Sequence, residues 1–111
     1  KLEGTNPGGS VKDRPAYHML KKAVESGALT KEKMILEPTS GNTGIGMAMV
    51  AAALGYRIKR VIPACVSQER RAVLTALGAE IECEVFPCGT GFRGLHRSVP
   101  RLPAAFAADW P

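Results

Sequence analysis

Short apolar segments alternate with helical segments between residues 10 and 82, and this alternation constrains the fold more than any other feature. The predicted strands are 34–37, 57–62 and 79–82, and the predicted helices are 10–26, 43–54 and 67–77. A helix of about ten residues or more between two strands can return the chain to a parallel neighbouring strand. The pattern therefore predicts an α/β protein with a parallel sheet between helical layers, in a three-layer αβα arrangement.

Residues that favour helix caps indicate where these helices begin and end. Ser10 is predicted to cap the first helix, with Asp13 three residues later in a variant of the capping box. Ser67 takes the equivalent position before the third helix, and a glycine follows each predicted helix. Pro15 fits less well, because it lies about one turn into the first helix and removes a hydrogen-bond donor.

The regular pattern ends near residue 82. Residues 83–111 contain four of the eight prolines, the only tryptophan and no lysine. We therefore divide the chain into a folded part of a domain, 1–82, and an irregular segment, 83–111. The change is abrupt and falls inside a predicted strand, which favours a segment translated out of frame over a flexible tail. The chain does not begin with Met, so we expect it to be a piece of a longer protein.

The composition is typical of a folded, soluble protein, with 45% apolar and 23% charged residues. The longest apolar stretch, 45–54, is shorter than the ~20 residues that a spanning helix needs, so we predict a cytoplasmic protein without membrane contact. The net charge of +5 comes from scattered basic residues, which favours a solvated surface over nucleic-acid binding. The three cysteines lack the spacing of a zinc site and are predicted to be reduced thiols.

Two short segments carry side chains suited to chemistry. Lys12 lies near the predicted start of the first helix, and the positive end of a helix dipole favours the neutral amine that bonding to a carbonyl requires. The loop 37–44 joins a strand end to a helix start, where hydroxyl, amide and backbone N–H groups can bind an anion. It is not a P-loop, because no Gly-Lys-Ser/Thr follows. Either a phosphate or a carboxylate suits it, and the spacing does not decide between them.

Lys12 and the loop 37–44 each lie within a longer sequence motif. Residues 1–14 read Lys-x-Glu-x3-Pro-Gly-x-Ser-Val-Lys-Asp-Arg, and residues 37–46 read Glu-Pro-Thr-Ser-Gly-Asn-Thr-Gly-Ile-Gly. Residues 67–71, Ser-x-Glu-Arg-Arg, follow downstream. Together they resemble the cysteine synthase family of pyridoxal-phosphate enzymes, and the resemblance covers residues 1–82. It implies part of the tryptophan-synthase-β-like fold, with pyridoxal 5'-phosphate as cofactor.

The resemblance also implies roles for six residues. Lys12 is implied to hold the cofactor covalently and then to act as the base that removes the substrate's α-proton. Asn42 is implied to hydrogen-bond the cofactor's ring hydroxyl. The residues implied to bind the carboxylate of the amino-acid substrate are Thr39, Ser40, Gly41 and Thr43.

The implied reaction is a β-replacement that makes cysteine from O-acetylserine and sulfide, in a protein that is a homodimer when complete. Cystathionine β-synthase resembles the same motifs but joins serine to homocysteine, so the sequence leaves the nucleophile open. The family's glycine-rich loop for the cofactor phosphate lies beyond the matching residues, and we expect the chain to be inactive alone. A catalytically dead, truncated family member is the remaining alternative.

Overall fold

The computed structural model describes residues 1–38 and 41–84. A 3-10 turn at Glu3–Thr5 precedes three helices and three strands in strict alternation. In chain order they are α1 (Asp13–Glu25), β1 (Ile35–Glu37), α2 (Asn42–Leu54), β2 (Ile58–Pro63), α3 (Gln68–Ala76) and β3 (Glu80–Glu84).

The three strands form one parallel sheet in the order β1-β2-β3. This confirms the predicted α/β class, including the parallel pairing of the last two strands. Both crossovers move the chain in the same direction across the sheet, so right-handed connections put α2 and α3 on the same face. The two helices contact each other there. The described residues thus supply the sheet and one helical layer of the predicted arrangement.

The hydrophobic core joins this face of the sheet to α2, which also packs along α1. α2 is apolar on nearly every side, because it is covered by the sheet, by α1 and by α3. The fully or almost fully buried members of the core include Ala16 and Leu20 of α1, Ile35 of β1, Met47, Ala48, Val50 and Ala51 of α2, Ile58 of β2 and Leu74 of α3.

The helix ends agree with the predicted caps, except at the start of α1. Ser67 accepts a hydrogen bond from the Arg70 N–H at 3.5 Å, and the glycine after each helix has a left-handed φ of 70° to 80°. The first helix, however, begins at Asp13 and not at residue 10. Pro15 is therefore the third residue of α1, where its missing N–H would have had no partner within the helix.

Two boundaries of the sheet also differ from the prediction. β2 includes Pro63, which was expected to end the strand before it, and β3 continues to residue 84. Residues 85–111 lie outside the described residues, so the division at residue 82 and the origin of the last segment stay predictions. Within the described residues, no helix is both long and apolar enough to cross a membrane.

Candidate active site

The predicted substrate loop lies at the carboxyl end of β1, where parallel α/β sheets bind their ligands. Gly41 is the residue before α2, and its carbonyl accepts hydrogen bonds from Gly44 N–H at 3.1 Å and Ile45 N–H at 3.3 Å. A carbon added to Gly41 would meet no atom of residues 1–38 or 42–84 within 4 Å, so the described residues leave open space at the start of α2. Asn42 is exposed and Thr43 half-buried in this first turn. Thr39 and Ser40 lie outside the described residues.

Lys12 is the residue immediately before α1, with an exposed side chain. Over residues 1–38 and 41–84, its Nζ makes no hydrogen bond or ion pair, so the amine is available. The backbone N–H of Lys12 donates to Ser10 Oγ at 3.2 Å. The Ser10 hydroxyl, predicted to cap the helix, thus stabilises the turn before α1 and lies three residues ahead of the first helical residue, Asp13.

The segment before Lys12 is held together by the side chain of Asn6. Its Nδ2 donates to Glu3 Oε2 and to the Ser10 carbonyl, both at 2.7 Å. Glu3 also forms an ion pair with Arg14 of α1. The hydrogen bond from Asn6 is the largest influence that lowers the pKa of Glu3, and the positive charges of Arg14 and Lys1 act in the same direction. These contacts tie residues 1–6 to the turn that carries Lys12.

The Asp13 carboxylate explains why α1 begins where it does. Asp13 is 6% exposed, and its Oδ2 accepts a hydrogen bond from Gly8 N–H at 2.6 Å. The buried Oδ1 has no hydrogen-bond partner among the described residues. A Cβ at Gly8 would lie 2.3 Å from Oδ1, so a larger residue there would force the buried Asp13 side chain to move. A carboxylate in the first turn also suits the helix dipole.

Gly46 brings α1 and α2 together directly beside Lys12. A Cβ at Gly46 would lie 3.1 Å from the Lys12 carbonyl oxygen and 3.2 Å from Ala16 Cβ. Asn42 lies four residues before Gly46, and residues four apart share one face of a helix. The main chain of Lys12 is therefore next to the face of α2 that carries Asn42, so two distant parts of the sequence meet at one edge of the molecule.

A buried charge behind this edge was missed by the sequence analysis. Arg60 of β2 is 0% exposed, and it lies opposite Glu37, the last residue of β1. Burial lowers the pKa of Arg60 to about 10, while the negative charge of Glu37 acts in the opposite direction. A Cβ at Gly44 would lie within 2.0 Å of the guanidinium. The available signal was alternation along the predicted strand 57–62, which puts Arg60 on the same face as the apolar Ile58 and Ile62.

Comparison with known proteins shows the family of the chain. Residues 1–104 match the family described as pyridoxal-phosphate dependent enzyme. The chain belongs to this family. Membership of this family implies pyridoxal phosphate as the cofactor.

The similar proteins include several enzymes that are named cysteine synthase. The chain is 55% identical over 110 residues to cysteine synthase from a Flavobacterium species, covering 99% of this chain and 35% of that protein. It is 53% identical over 81 residues to cysteine synthase B from Escherichia coli, covering 73% of this chain and 27% of that protein. The chain thus spans between about a quarter and a third of the length of these curated relatives.

A solved structure shares the fold as well. A hydrogen sulfide-producing enzyme from Fusobacterium nucleatum is 40% identical, with a TM-score of 0.83, over 92% of this chain and 32% of that enzyme. The family match and the Flavobacterium alignment both continue beyond residue 84, whereas the Escherichia coli alignment covers 81 residues.

The residues of this site fit the cofactor that the family implies. Pyridoxal phosphate requires a lysine amine, and Lys12 has an exposed one that no described group engages. The open space beside Gly41 and the exposed carboxamide of Asn42 adjoin the same part of α2. An amine, a carboxamide and the N–H groups of a helix start therefore suit a polar, anionic molecule at this edge.

Proposed function

We propose that this chain carries the lysine and the substrate loop of a cysteine synthase, an enzyme that replaces the acetoxy group of O-acetylserine by sulfide. In this reaction the Cβ–O bond breaks, a Cβ–S bond forms, and acetate leaves as cysteine is produced. The observation that carries the proposal is the position of Lys12 against Gly46, on the face of α2 that begins with Asn42. The cysteine synthases among its relatives supply the choice of substrate.

Each residue has a separate task in this proposal. Lys12 Nζ would hold the cofactor covalently. The same amine would act as the base that takes the proton from the substrate Cα. Asn42 orients the cofactor by a hydrogen bond to its ring hydroxyl. Pyridoxal phosphate, when bound, supplies an aromatic ring that stabilises the electron pair left at Cα.

The loop at the start of α2 binds the carboxylate of the amino acid. Gly41 and Thr43 contribute from the described part of this loop, and we propose Thr39 and Ser40 as the other two members. Backbone N–H groups in the first turn of a helix lack partners within the helix, and the dipole favours an anion there. A carboxylate fixed at this point holds the substrate Cα within reach of Lys12.

The proposal is tested by assaying the complete protein that contains this chain. In the presence of pyridoxal phosphate, the reaction of O-acetylserine with sulfide should give cysteine and acetate in equal amounts, as measured by mass spectrometry. A parallel reaction with serine and homocysteine is the comparison, because the nucleophile is the open point in the sequence. Faster formation of cystathionine would refute sulfide as the nucleophile, and the absence of both products would refute the β-replacement. The expected homodimer can be measured on the same preparation by light scattering.

A further inference from the structure

Arg60 is the most deeply buried charged residue in the described part of the chain. It is the third residue of β2, and neither its burial nor its charge has a task in the function proposed above. Its neighbours along the strand, Val61 and Ile62, are also 0% exposed. An apolar residue would suit such a position, because taking a guanidinium out of water costs several kcal/mol by general estimates.

The guanidinium lies directly behind the substrate loop. Arg60 and Glu37 are register partners in parallel strands, so both side chains point to the same face of the sheet. Glu37 is 9% exposed and is the first residue of the loop 37–44. On the other side, a Cβ at Gly44 would lie 1.7 Å from Nη1 and 1.8 Å from Nη2 of Arg60. The charged head is thus enclosed between the last residue of β1 and the first turn of α2.

The buried position of the Arg60 charge is electrostatically unfavourable, so the stability of the fold does not explain it. A cation near a helix N-terminus is repelled by the positive end of the dipole, and burial adds a further cost. Glu37 offsets part of that cost, since its charge stabilises the protonated arginine. Charged groups in environments that destabilise their charge are concentrated at functional sites, where their electric field acts on a bound ligand.

We propose that Arg60 is a positioning residue for the substrate loop: it fixes the first turn of α2 against Glu37 and adds positive charge behind the site that binds the substrate carboxylate. This inference rests on the proposed function, in which that loop receives an amino acid. Arg60 is buried, so it acts through the loop and does not touch the substrate.

The first test compares Arg60→Met and Arg60→Lys in the complete protein. Arg60→Met replaces the guanidinium by a shorter, unbranched apolar side chain and removes the charge, so we expect the KM for O-acetylserine to rise roughly tenfold while kcat changes less than about threefold. Arg60→Lys restores a charge and should recover part of the loss in KM. Lys59→Met is the matched control, because Lys59 lies next in the strand, on the opposite face, paired with Glu82 at 2.8 Å. An unchanged KM in Arg60→Met, or no recovery by Arg60→Lys, would overturn the proposal.

A second test needs no activity and separates this inference from the proposed function. Amide hydrogen exchange at Gly44 and Ile45, whose N–H groups bond to the Gly41 carbonyl, should be at least tenfold faster in Arg60→Met and unchanged in Lys59→Met. If the wild-type protein makes no cysteine but these amides respond, the function fails and the positioning role stands. If cysteine is made and the amides do not respond, the positioning role fails. Should Arg60→Met not fold, Arg60→Gln supplies the same readout, since it removes the charge and keeps a polar side chain.

Discussion

The close approach of α1 to α2 at Gly46 leads to a quantitative prediction for Gly46→Ala. In an exposed helix, replacing glycine by alanine is favourable by about 1 kcal/mol. Here the new Cβ would lie 3.1 Å from the Lys12 carbonyl oxygen and 3.2 Å from Ala16 Cβ, and one of these atoms belongs to the backbone. Overpacking of this kind costs ~1–3 kcal/mol, because a helix must move as a unit. We therefore expect a net loss of roughly 1 kcal/mol in the free energy of unfolding.

Thermal unfolding followed by far-UV circular dichroism measures this effect. For a domain of this size, a loss of about 1 kcal/mol lowers the Tm by roughly 4–8 °C. Gly4→Ala is the control, because a Cβ there meets nothing within 4 Å, and its Tm should stay close to that of the wild type. If Gly46→Ala is instead about 1 kcal/mol more stable than the wild type, which is the full gain in helix propensity, α1 and α2 have space for the added Cβ. The close contact that positions Lys12 would then be refuted.

Two further predictions concern the turn before Lys12. Gly8→Ala should lower the free energy of unfolding by ~1–3 kcal/mol, as measured by urea unfolding. The new Cβ would lie 2.3 Å from Asp13 Oδ1 and would break the Gly8–Asp13 hydrogen bond. An unchanged midpoint of urea unfolding would contradict this. The hydrogen bond from Asn6 is the chief cause that lowers the pKa of Glu3 from 4.5. The ionised Glu3 carboxylate therefore stabilises the fold above pH 4.5, and this stabilisation is lost as the pH falls through the lowered pKa. In Asn6→Ala the Glu3 pKa, measured by NMR titration, should rise towards 4.5, and identical titration curves would exclude the role of Asn6.

The sequence predicted those parts of the fold that depend on local patterns. Apolar runs and following glycines identified all six main elements, and Ser67 was correctly predicted as a helix cap. The start of α1 was wrong by three residues, because Asp13 bonds to Gly8 in the preceding turn and does not join a capping box with Ser10. That contact depends on the path of the whole segment, which residue spacing does not specify.

The candidate site was predictable in its members but not in its surroundings. Motifs resembling a known family selected Lys12 and Asn42, and only the packing at Gly46 puts the two segments side by side. The burial of Arg60 could not be inferred, because it depends on the register with Glu37 and on the space that Gly44 leaves when α2 crosses the sheet. A charged residue in a short strand is usually assigned to an exposed face.

Covalent labelling of Lys12 tests the central claim most directly. The complete protein is incubated with pyridoxal phosphate, reduced with borohydride, digested and analysed by peptide mass spectrometry. The account predicts one cofactor per chain, fixed on Lys12, and no labelling above the background of surface lysines in Lys12→Ala. That variant should keep its Tm, because the exposed Lys12 side chain makes no described contact through Nζ. Stoichiometric labelling of a different lysine, or equal labelling of Lys12→Ala, would contradict the account.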